Sequence, residues 1–343
     1  MAEKPIEIAD LHIHSRESME NREEETSKTQ KEVIDDIVGP REFTRQTYQG
    51  QEVVVKAIAF TEHDTITEDI KEVVEYGAKR GIQVIPAVEL DCNTNRFEEI
   101  HINILLFGNL VDIVLEDEEF KAELAKVNTG RRKTCEIMMS ELKRHGVIKS
   151  DVSSEGIRSK PEIYKILRDP SKSMIADKFS SDSDAKIWTK RDGYDFKRDK
   201  PNAHFIAHQL AKRLGLPFSI EHSRMIFDKQ TKTYISNRDR KELIKYLSPW
   251  AIQVYYPYIF NRKFRNALDL TKEKQTEWEE EDSQWLTSGS GTGIINPIGG
   301  SDFHKTGKNS RNANRVAEAF ITMDYLIQLE REFYKRMRKK KSS

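Results

Sequence analysis

The chain has 343 residues, of which 57 are Lys or Arg and 57 are Asp or Glu, so its formal net charge is zero. A neutral chain creates no overall field that draws it to nucleic acid or membranes, so attraction to an anionic substrate must be local. Cys92 and Cys135 exclude a disulfide framework and fit a reducing compartment, and no run approaches the roughly 18 apolar residues of a membrane span. We therefore expect a soluble, cytoplasmic protein.

Seven short apolar or β-branched runs predict strands, mostly of the kind buried in a parallel sheet. In chain order they are Ile6–His14, Val53–Thr61, Gln83–Leu90, Ile102–Phe107, Pro217–Glu221, Ala251–Tyr256 and Ile294–Gly299. Helical patterns separate many of them, as at Thr67–Arg80, Lys200–Leu214 and Ser236–Leu247. This alternation predicts an α/β fold, either a parallel barrel or a doubly wound sheet.

Two long segments interrupt the alternation. Residues 16–51 form a polar excursion after the first strand. Residues 111–200 predict an inserted helical subdomain or lid, with helical patterns at Glu118–Val127, Arg131–His145 and Pro161–Leu167. We expect residues 1–343 to form a single catalytic domain that carries both segments.

The first predicted strand ends in His12-Ile13-His14. Because side chains alternate faces along a strand, these two imidazoles converge on one point, as ligands of a metal ion must. The other candidate ligands stand where later predicted strands end or, for one of them, begin: His63, Glu89, His101, His222, Asp302 and His304. Catalytic groups of α/β barrels gather at the ends of the strands, which favours the barrel over the doubly wound sheet.

The number of candidate ligands exceeds what one ion accepts. Glu89 could bridge two ions with its two oxygens, so the sequence predicts two or three divalent metals, for which imidazole and carboxylate ligands allow Zn, Mn or Fe. Metals about 3.5–4 Å apart can hold both the attacking and the leaving oxygen of an in-line displacement. Such a site suits the hydrolysis of phosphate esters.

Five motifs carry a resemblance to a known family. They are Asp10–Ser15, Thr61–Asp64, Val88–Leu90, His101 with the strand that follows it, and Gly300–His304. In type and order they resemble the motifs of the PHP (polymerase and histidinol phosphatase) superfamily. The resemblance implies a distorted (β/α)7 TIM-like barrel, here with a helical insertion, and a dinuclear or trinuclear metal site that hydrolyses phosphomonoesters or phosphodiesters.

The resemblance also implies how the ligands divide among the metals. The first metal takes His12, His14, Glu89 and Asp302. The second takes Glu89, His101 and His222, and a third takes His63 and His304. A further family ligand aligns near Met19, where Glu17 and Glu20 are the open candidates.

Besides the metal ligands, Arg224 and Asp64 are the predicted catalytic residues. Arg224 lies two residues after His222 and could bind a phosphate oxygen, with a surface salt bridge as the alternative. Asp64 follows His63 and could orient a ligand or bond a turn.

The favoured function is a phosphoesterase that acts through a metal-activated hydroxide. The expected substrates are nucleotides or nucleic-acid ends, which a local basic groove could guide, formed by Arg131, Arg132, Lys133, Lys190 and Arg191. A small-metabolite phosphatase of the histidinol-phosphate type stays open, and so does an amidohydrolase acting on C–N bonds, which also begins with His-x-His. A metal-binding module without catalysis is the third possibility. Protein partners stay open as well.

Overall fold

The computed structural model describes residues 4–18, 28–39, 47–48, 50–157, 160–196, 200–258, 265–266, 268–287, 295–301 and 319–341. The predicted ligands Asp302 and His304 lie outside the described residues, as does Glu20. Among the described residues, none of the helices combines the length and apolar character needed to cross a membrane.

The described residues contain short and long strands in the following order: β1 (Ile6–Ile13), β2 (Thr47–Tyr48), β3 (Gln51–His63), β4 (Gln83–Cys92), β5 (Phe97–Glu98), β6 (Ile100–Leu105), β7 (Phe218–Glu221), β8 (Phe227–Asp228), β9 (Thr233–Tyr234), β10 (Ala251–Tyr255), β11 (Asn296–Gly299) and β12 (Ile321–Thr322). Each of the seven predicted strands overlaps one of these, whereas the two-residue strands gave no pattern in the sequence.

The helices are α1 (Gln30–Val38), α2 (Ile70–Lys79), α3 (Leu110–Glu116), α4 (Glu118–Arg144), α5 (Lys160–Arg168), α6 (Asp182–Arg191), α7 (Lys212–Leu214), α8 (Asn237–Leu247), α9 (Lys272–Thr287) and α10 (Met323–Lys341). A π-helical segment, Phe205–Ala211, runs directly into α7, and 3₁₀ turns lie at Ala176–Lys178 and Ser223–Met225.

The main sheet curls into a nearly closed barrel. Its strand order is β11-β10-β7-β6-β4-β3-β1-β12. The two edges come together because Gly299 at the end of β11 lies against the backbone of Phe320, just before β12, and Gly300 lies against His12. The predicted α/β barrel is therefore confirmed, with β12 as an additional strand at the seam.

One barrel strand runs against the expected direction. β1, β3, β4, β7, β10 and β11 run parallel to one another, but β6 pairs antiparallel with both β4 and β7. The start of β6 therefore lies beside the ends of its neighbours. This direction explains why His101 begins its strand when the other candidate ligands end theirs.

The segment after β1 is tied to the barrel by α1. Thr29 caps this helix, since its side chain accepts a hydrogen bond from the Glu32 amide while Glu32 bonds back to the Thr29 amide. Gln30, buried in the first turn, donates to Glu62 Oε1 at 2.9 Å, and Glu62 Oε2 accepts from the Ser15 amide at 3.0 Å. These bonds fix the backbone immediately after His14.

The predicted insertion contains a hydrophobic cluster of its own. Helix α4 is continuous where the sequence predicted two helices, because Phe120, Val127 and Thr134 repeat every seven residues and keep one face buried through Gly130. Its first half packs Phe120 on the barrel, and its second half builds the insertion cluster with α5 and α6: Cys135, Met138, Met139, Leu142, Val147, Ile148, Ile163, Tyr164, Leu167, Phe179 and Ala185.

Candidate metal centre

Glu89 lies at the centre of the barrel mouth and is fully buried. Its Oε2 atom lies 3.3 Å from His12 Nε2, 3.2 Å from His14 Nε2 and 3.1 Å from His63 Nδ1. The paired strands set this geometry, since His63 ends β3 directly opposite Glu89 on β4. Three of the predicted ligands thus meet one oxygen of Glu89.

The other oxygen of Glu89 meets two further imidazoles. Oε1 lies 2.6 Å from His101 Nδ1 and 3.5 Å from His222 Nε2. His101 comes from the start of β6, and His222 directly follows β7 with a φ of +26°, a left-handed conformation that few non-glycine residues adopt. The histidine cluster, consisting of His12, His14, His63, His101 and His222, therefore surrounds a single carboxylate.

The electrostatics favour an ionised Glu89. Burial raises the pKa of this carboxyl, but the charges of His12, His63 and His101 outweigh burial and hold the pKa well below its ordinary value. Burial lowers the pKa of His101, yet Glu89 beside it raises the net pKa well above the usual range. An anionic carboxylate amid basic nitrogens is the donor set that divalent metals take, displacing protons as they bind.

The donor atoms are close enough to share ions. His12, His14 and Glu89 form one group whose ligand atoms lie within 4.8 Å of one another, and His63, Glu89 and His101 form a second. Glu89 belongs to both groups and presents a different oxygen to His12 and His101. The donor types and their spacing therefore fit a site for divalent metal ions, in which Glu89 presents an oxygen to each group.

A third group of possible ligands, Asp91, Glu99 and His101, already contains the side chain of Lys200. Asp91 and Glu99 each lie 3.8 Å from His101 Nε2, and the Lys200 ammonium lies 2.7 Å from Asp91 and 3.2 Å from Glu99. Lys200 stands where the predicted insertion returns to the barrel. Its charge occupies this acidic group, so we place no metal there.

Asp64 and Arg224, the two predicted catalytic residues, both lie in ion pairs. Asp64 accepts a hydrogen bond from Arg131 Nε at 2.9 Å and another from Arg131 Nη2, and both side chains are buried. Arg224 donates two bonds to Asp282, at 3.1 and 2.9 Å. The structure thus places Asp64 beside His63 as a buried anchor for α4, and places Arg224 against α9.

Two acidic residues in or just after the first motif, Asp10 and Glu17, lie in different surroundings. Glu17 is partly exposed, and its Oε1 atom lies 3.1 Å from Arg16 Nε. Asp10 faces inward, where its Oδ1 accepts bonds from the His12 amide at 3.2 Å and the Ser301 amide at 2.9 Å. Asp10 thereby joins β1 to the chain that follows β11.

Sequence reasoning missed two buried side chains that contact the cluster. Glu221 Oε2 lies 3.2 Å from His12 Nδ1. Gln253 accepts from the His222 amide at 2.9 Å and donates to the Gly300 carbonyl at 2.8 Å. The available signal was a polar side chain at every second position of an apolar strand, as in Ser219 and Glu221 on β7.

The remaining histidines lie apart from the centre. His145 is exposed at the end of α4 and packs edge-on to Tyr194, with ring centroids 5.6 Å apart. His204 and His208 stack with a centroid distance of 4.5 Å, and His204 also stacks on Tyr246. None of these three belongs to a group of possible metal ligands within the described residues.

No protein-family model and no curated protein matches the chain. Among solved structures, a predicted metal-dependent phosphoesterase from Bifidobacterium adolescentis superposes with a TM-score of 0.62 at 17% identity, covering 95% of this chain and 96% of that one. An amidohydrolase from Chromobacterium violaceum, with bound sulfate and no metal, superposes with a TM-score of 0.53 at 16% identity, covering 91% and 90%.

A two-domain protein from Bacteroides vulgatus that contains a predicted PHP-like metal-dependent phosphoesterase also matches, at 13% identity over 89% of this chain and 57% of that one, but its TM-score of 0.35 carries no weight. The two closer likenesses show the fold alone. The chain shares the α/β barrel fold of these two neighbours, as the strand pattern of the sequence had predicted.

Proposed function

We propose that the protein is a metal-dependent phosphoesterase whose active site is the barrel mouth around Glu89. The observation that carries this proposal is the division of the Glu89 oxygens, one facing His12, His14 and His63, the other facing His101 and His222. A carboxylate divided in this way is suited to bridge two ions. The Asp302 and His304 ligands predicted by motif stay part of the proposal.

Metal ions bound here would lower the pKa of a water molecule toward neutrality and balance the charge of a phosphate. The protein's own residues hold the ligands in place. Asp10 and Gln253 fix the backbone around His12 and His222, and Glu62 fixes the backbone after His14. Rigid ligands of this kind keep the site assembled before substrate arrives.

Positive charge beside the centre supports an anionic substrate. Arg224, Arg240 and Lys241 share two carboxylates, Asp282 and Glu281, so this partly buried group carries a net charge of about one positive unit. Burial, and then the neighbouring Arg240, lower the pKa of Arg224. We propose that Arg224, two residues from His222, binds the phosphate by exchanging one of its bonds to Asp282.

Within phosphoesterases, we propose nucleotides or nucleic-acid ends as the substrates. Exposed basic side chains on the insertion support this choice, namely Arg132, Lys133, Lys190 and Arg191. Arg131, the fifth residue of the predicted groove, is instead buried against Asp64. A small sugar or amino-alcohol phosphate is the alternative within the same chemistry.

The C–N hydrolase alternative is kept because the Chromobacterium violaceum neighbour is called an amidohydrolase. A carboxylated lysine is a common metal bridge in that class. In the proposed centre Glu89 takes the bridging position instead, which favours phosphate esters.

The test is hydrolysis by protein loaded separately with Zn²⁺, Mn²⁺ and Fe²⁺. The panel contains aryl phosphomono- and diesters, nucleoside monophosphates, oligonucleotides, histidinol phosphate, and amides with cyclic ureides. We expect ester cleavage that chelator and His14→Ala abolish, with His145→Ala as the matched control because His145 is exposed on the insertion. Cleavage of amides alone, or no turnover by metal-loaded protein, would contradict the proposal.

A further inference from the structure

Glu221 contacts the metal-facing imidazole of His12 from behind. It is the last residue of β7 and is buried, with its Oε2 atom 3.2 Å from His12 Nδ1. Its other oxygen accepts a hydrogen bond from the Ser219 hydroxyl. The opposite nitrogen of the same ring, His12 Nε2, faces Glu89 at 3.3 Å and His14 at 3.0 Å.

The backbone conformation at His222 explains how two consecutive residues, Glu221 and His222, both face the site. Ser219 and Glu221 share the inward face of β7, because side chains alternate along a strand. His222 would then face outward, but its positive φ of +26° breaks the alternation and turns its ring toward Glu89. The Gln253 side chain, which accepts from the His222 amide at 2.9 Å, stabilises this turn.

The Glu221 contact assigns the proton on His12. A carboxylate oxygen only accepts hydrogen bonds, so Nδ1 carries the proton and Nε2 keeps its lone pair. Gln253 Nε2 also lies near His12 Nδ1, at 3.3 Å, but this amide already donates to Gly300 at 2.8 Å. The carboxylate lies closer, and a charged acceptor makes the stronger bond.

We propose that Glu221 is a positioning residue that holds His12 in the Nδ1–H tautomer and orients Nε2 toward the metal. The inference rests on the metal centre of the proposed function. A carboxylate behind a ligand imidazole fixes the ring and raises its basicity, and the loss of such a partner typically weakens metal binding by about 10–100-fold.

The experiment measures Zn²⁺ affinity by competition with a chromophoric chelator, without substrate. Glu221→Gln keeps an oxygen acceptor of the same shape but removes the charge, and Glu221→Ala removes the acceptor altogether. We expect the dissociation constant of the tightest Zn²⁺ to rise in the order wild type, Gln variant, Ala variant, with about a 10–100-fold rise for Ala. Asp228→Asn is the matched control, since Asp228 is an equally buried carboxylate that pairs with Arg96.

Three results would contradict a positioning role for Glu221. Wild-type Zn²⁺ affinity in Glu221→Ala would overturn the inference, as would an equal weakening in Asp228→Asn. Loss of a whole zinc equivalent in Glu221→Gln would show that Glu221 is a ligand and would overturn the positioning role. If the Ala variant does not fold, the isosteric Gln variant still gives the answer. Wild-type protein that binds no zinc would instead contradict the metal centre itself.

Discussion

The barrel mouth and the predicted insertion both bring ring side chains together. The barrel directs them at a shared carboxylate, whereas the insertion packs them into a hydrophobic core. At the barrel mouth, the ends of β1, β3 and β7 and the start of β6 direct the histidine cluster onto the single carboxylate of Glu89. In the insertion, Trp188 stacks on Tyr194 with centroids 5.2 Å apart, and both pack against the insertion's own cluster. Closed sheets make distant side chains converge, whereas short helices use their aromatic residues to complete a small core.

Two ion pairs join the predicted insertion to the strand ends around the metal centre. Arg131 of α4 pairs with Asp64, which follows His63, and Lys200 pairs with Asp91, two residues after Glu89. Both carboxylates belong to the barrel and both cations to the predicted insertion. We therefore propose that residues 111–200 are fixed to the edge of the metal centre and form one catalytic domain with the barrel.

The largest expected effect comes from breaking the buried pair between the regions. Arg131→Ala leaves Asp64 buried without its main partner, and we expect a loss of about 3–5 kcal/mol in the free energy of unfolding. Denaturant unfolding measures this loss. The adjacent exposed residue is the control, since Arg132→Ala should change the free energy by no more than about 0.5 kcal/mol.

The double variant Arg131→Ala/Asp64→Ala checks the reason for this loss. It should regain part of the stability, because no uncompensated charge remains buried. A single Arg131→Ala variant as stable as wild type would show that the pair does not hold the insertion to the barrel.

Glycine-to-alanine substitutions in the two regions should lower the free energy of unfolding by a smaller amount, and only the substitution in the barrel should also weaken Zn²⁺ binding. A Cβ at Gly300 would meet the His12 side chain and lie 2.8 Å from the His12 nitrogen, so Gly300→Ala should cost about 1–3 kcal/mol and weaken Zn²⁺ binding. Gly146, at the end of α4, has a φ of +65° and open space around it. Gly146→Ala should cost roughly 1–2 kcal/mol through backbone strain alone.

Calorimetry and zinc titration of both glycine variants test this contrast. Zinc affinity should fall only in Gly300→Ala. Equal affinity in the two variants would mean that the barrel seam does not position His12.

The smallest expected effect is a difference in the order in which the two cysteines are alkylated. One cysteine lies in each hydrophobic cluster. Burial raises the pKa of Cys135 in the insertion to about 11, and Cys92 is buried in the barrel, where its thiol donates to the Leu90 carbonyl. Neither thiol should react quickly in the native protein. In mild denaturant the smaller insertion cluster should open first, so mass spectrometry should find Cys135 alkylated before Cys92. The reverse order would contradict a separate insertion core.

The sequence predicted the features that depend on local pattern. Apolar runs located seven of the barrel strands, and the polar residues at or near their termini located Glu89 and the histidine cluster. Periodicity carries no information on strand direction, so the antiparallel β6 was not foreseen. The alternation of Ser219 and Glu221 on β7 could have marked Glu221 as inward-facing, but it does not show that His12 lies opposite. The pairing of Arg131 with Asp64 depends on how α4 crosses the barrel edge, which no local pattern encodes.

The proposed active site requires Glu89 to bridge more than one metal ion. The most direct measurement is the metal content per chain, by elemental analysis, after loading with Zn²⁺ or Mn²⁺ and removal of weakly held ions. We expect about two or three ions in the wild type, and at most about one in Glu89→Gln, because an amide lacks the charge to bridge two cations. Wild-type protein that retains one ion or none, or a Glu89→Gln variant that retains the full number, would contradict it.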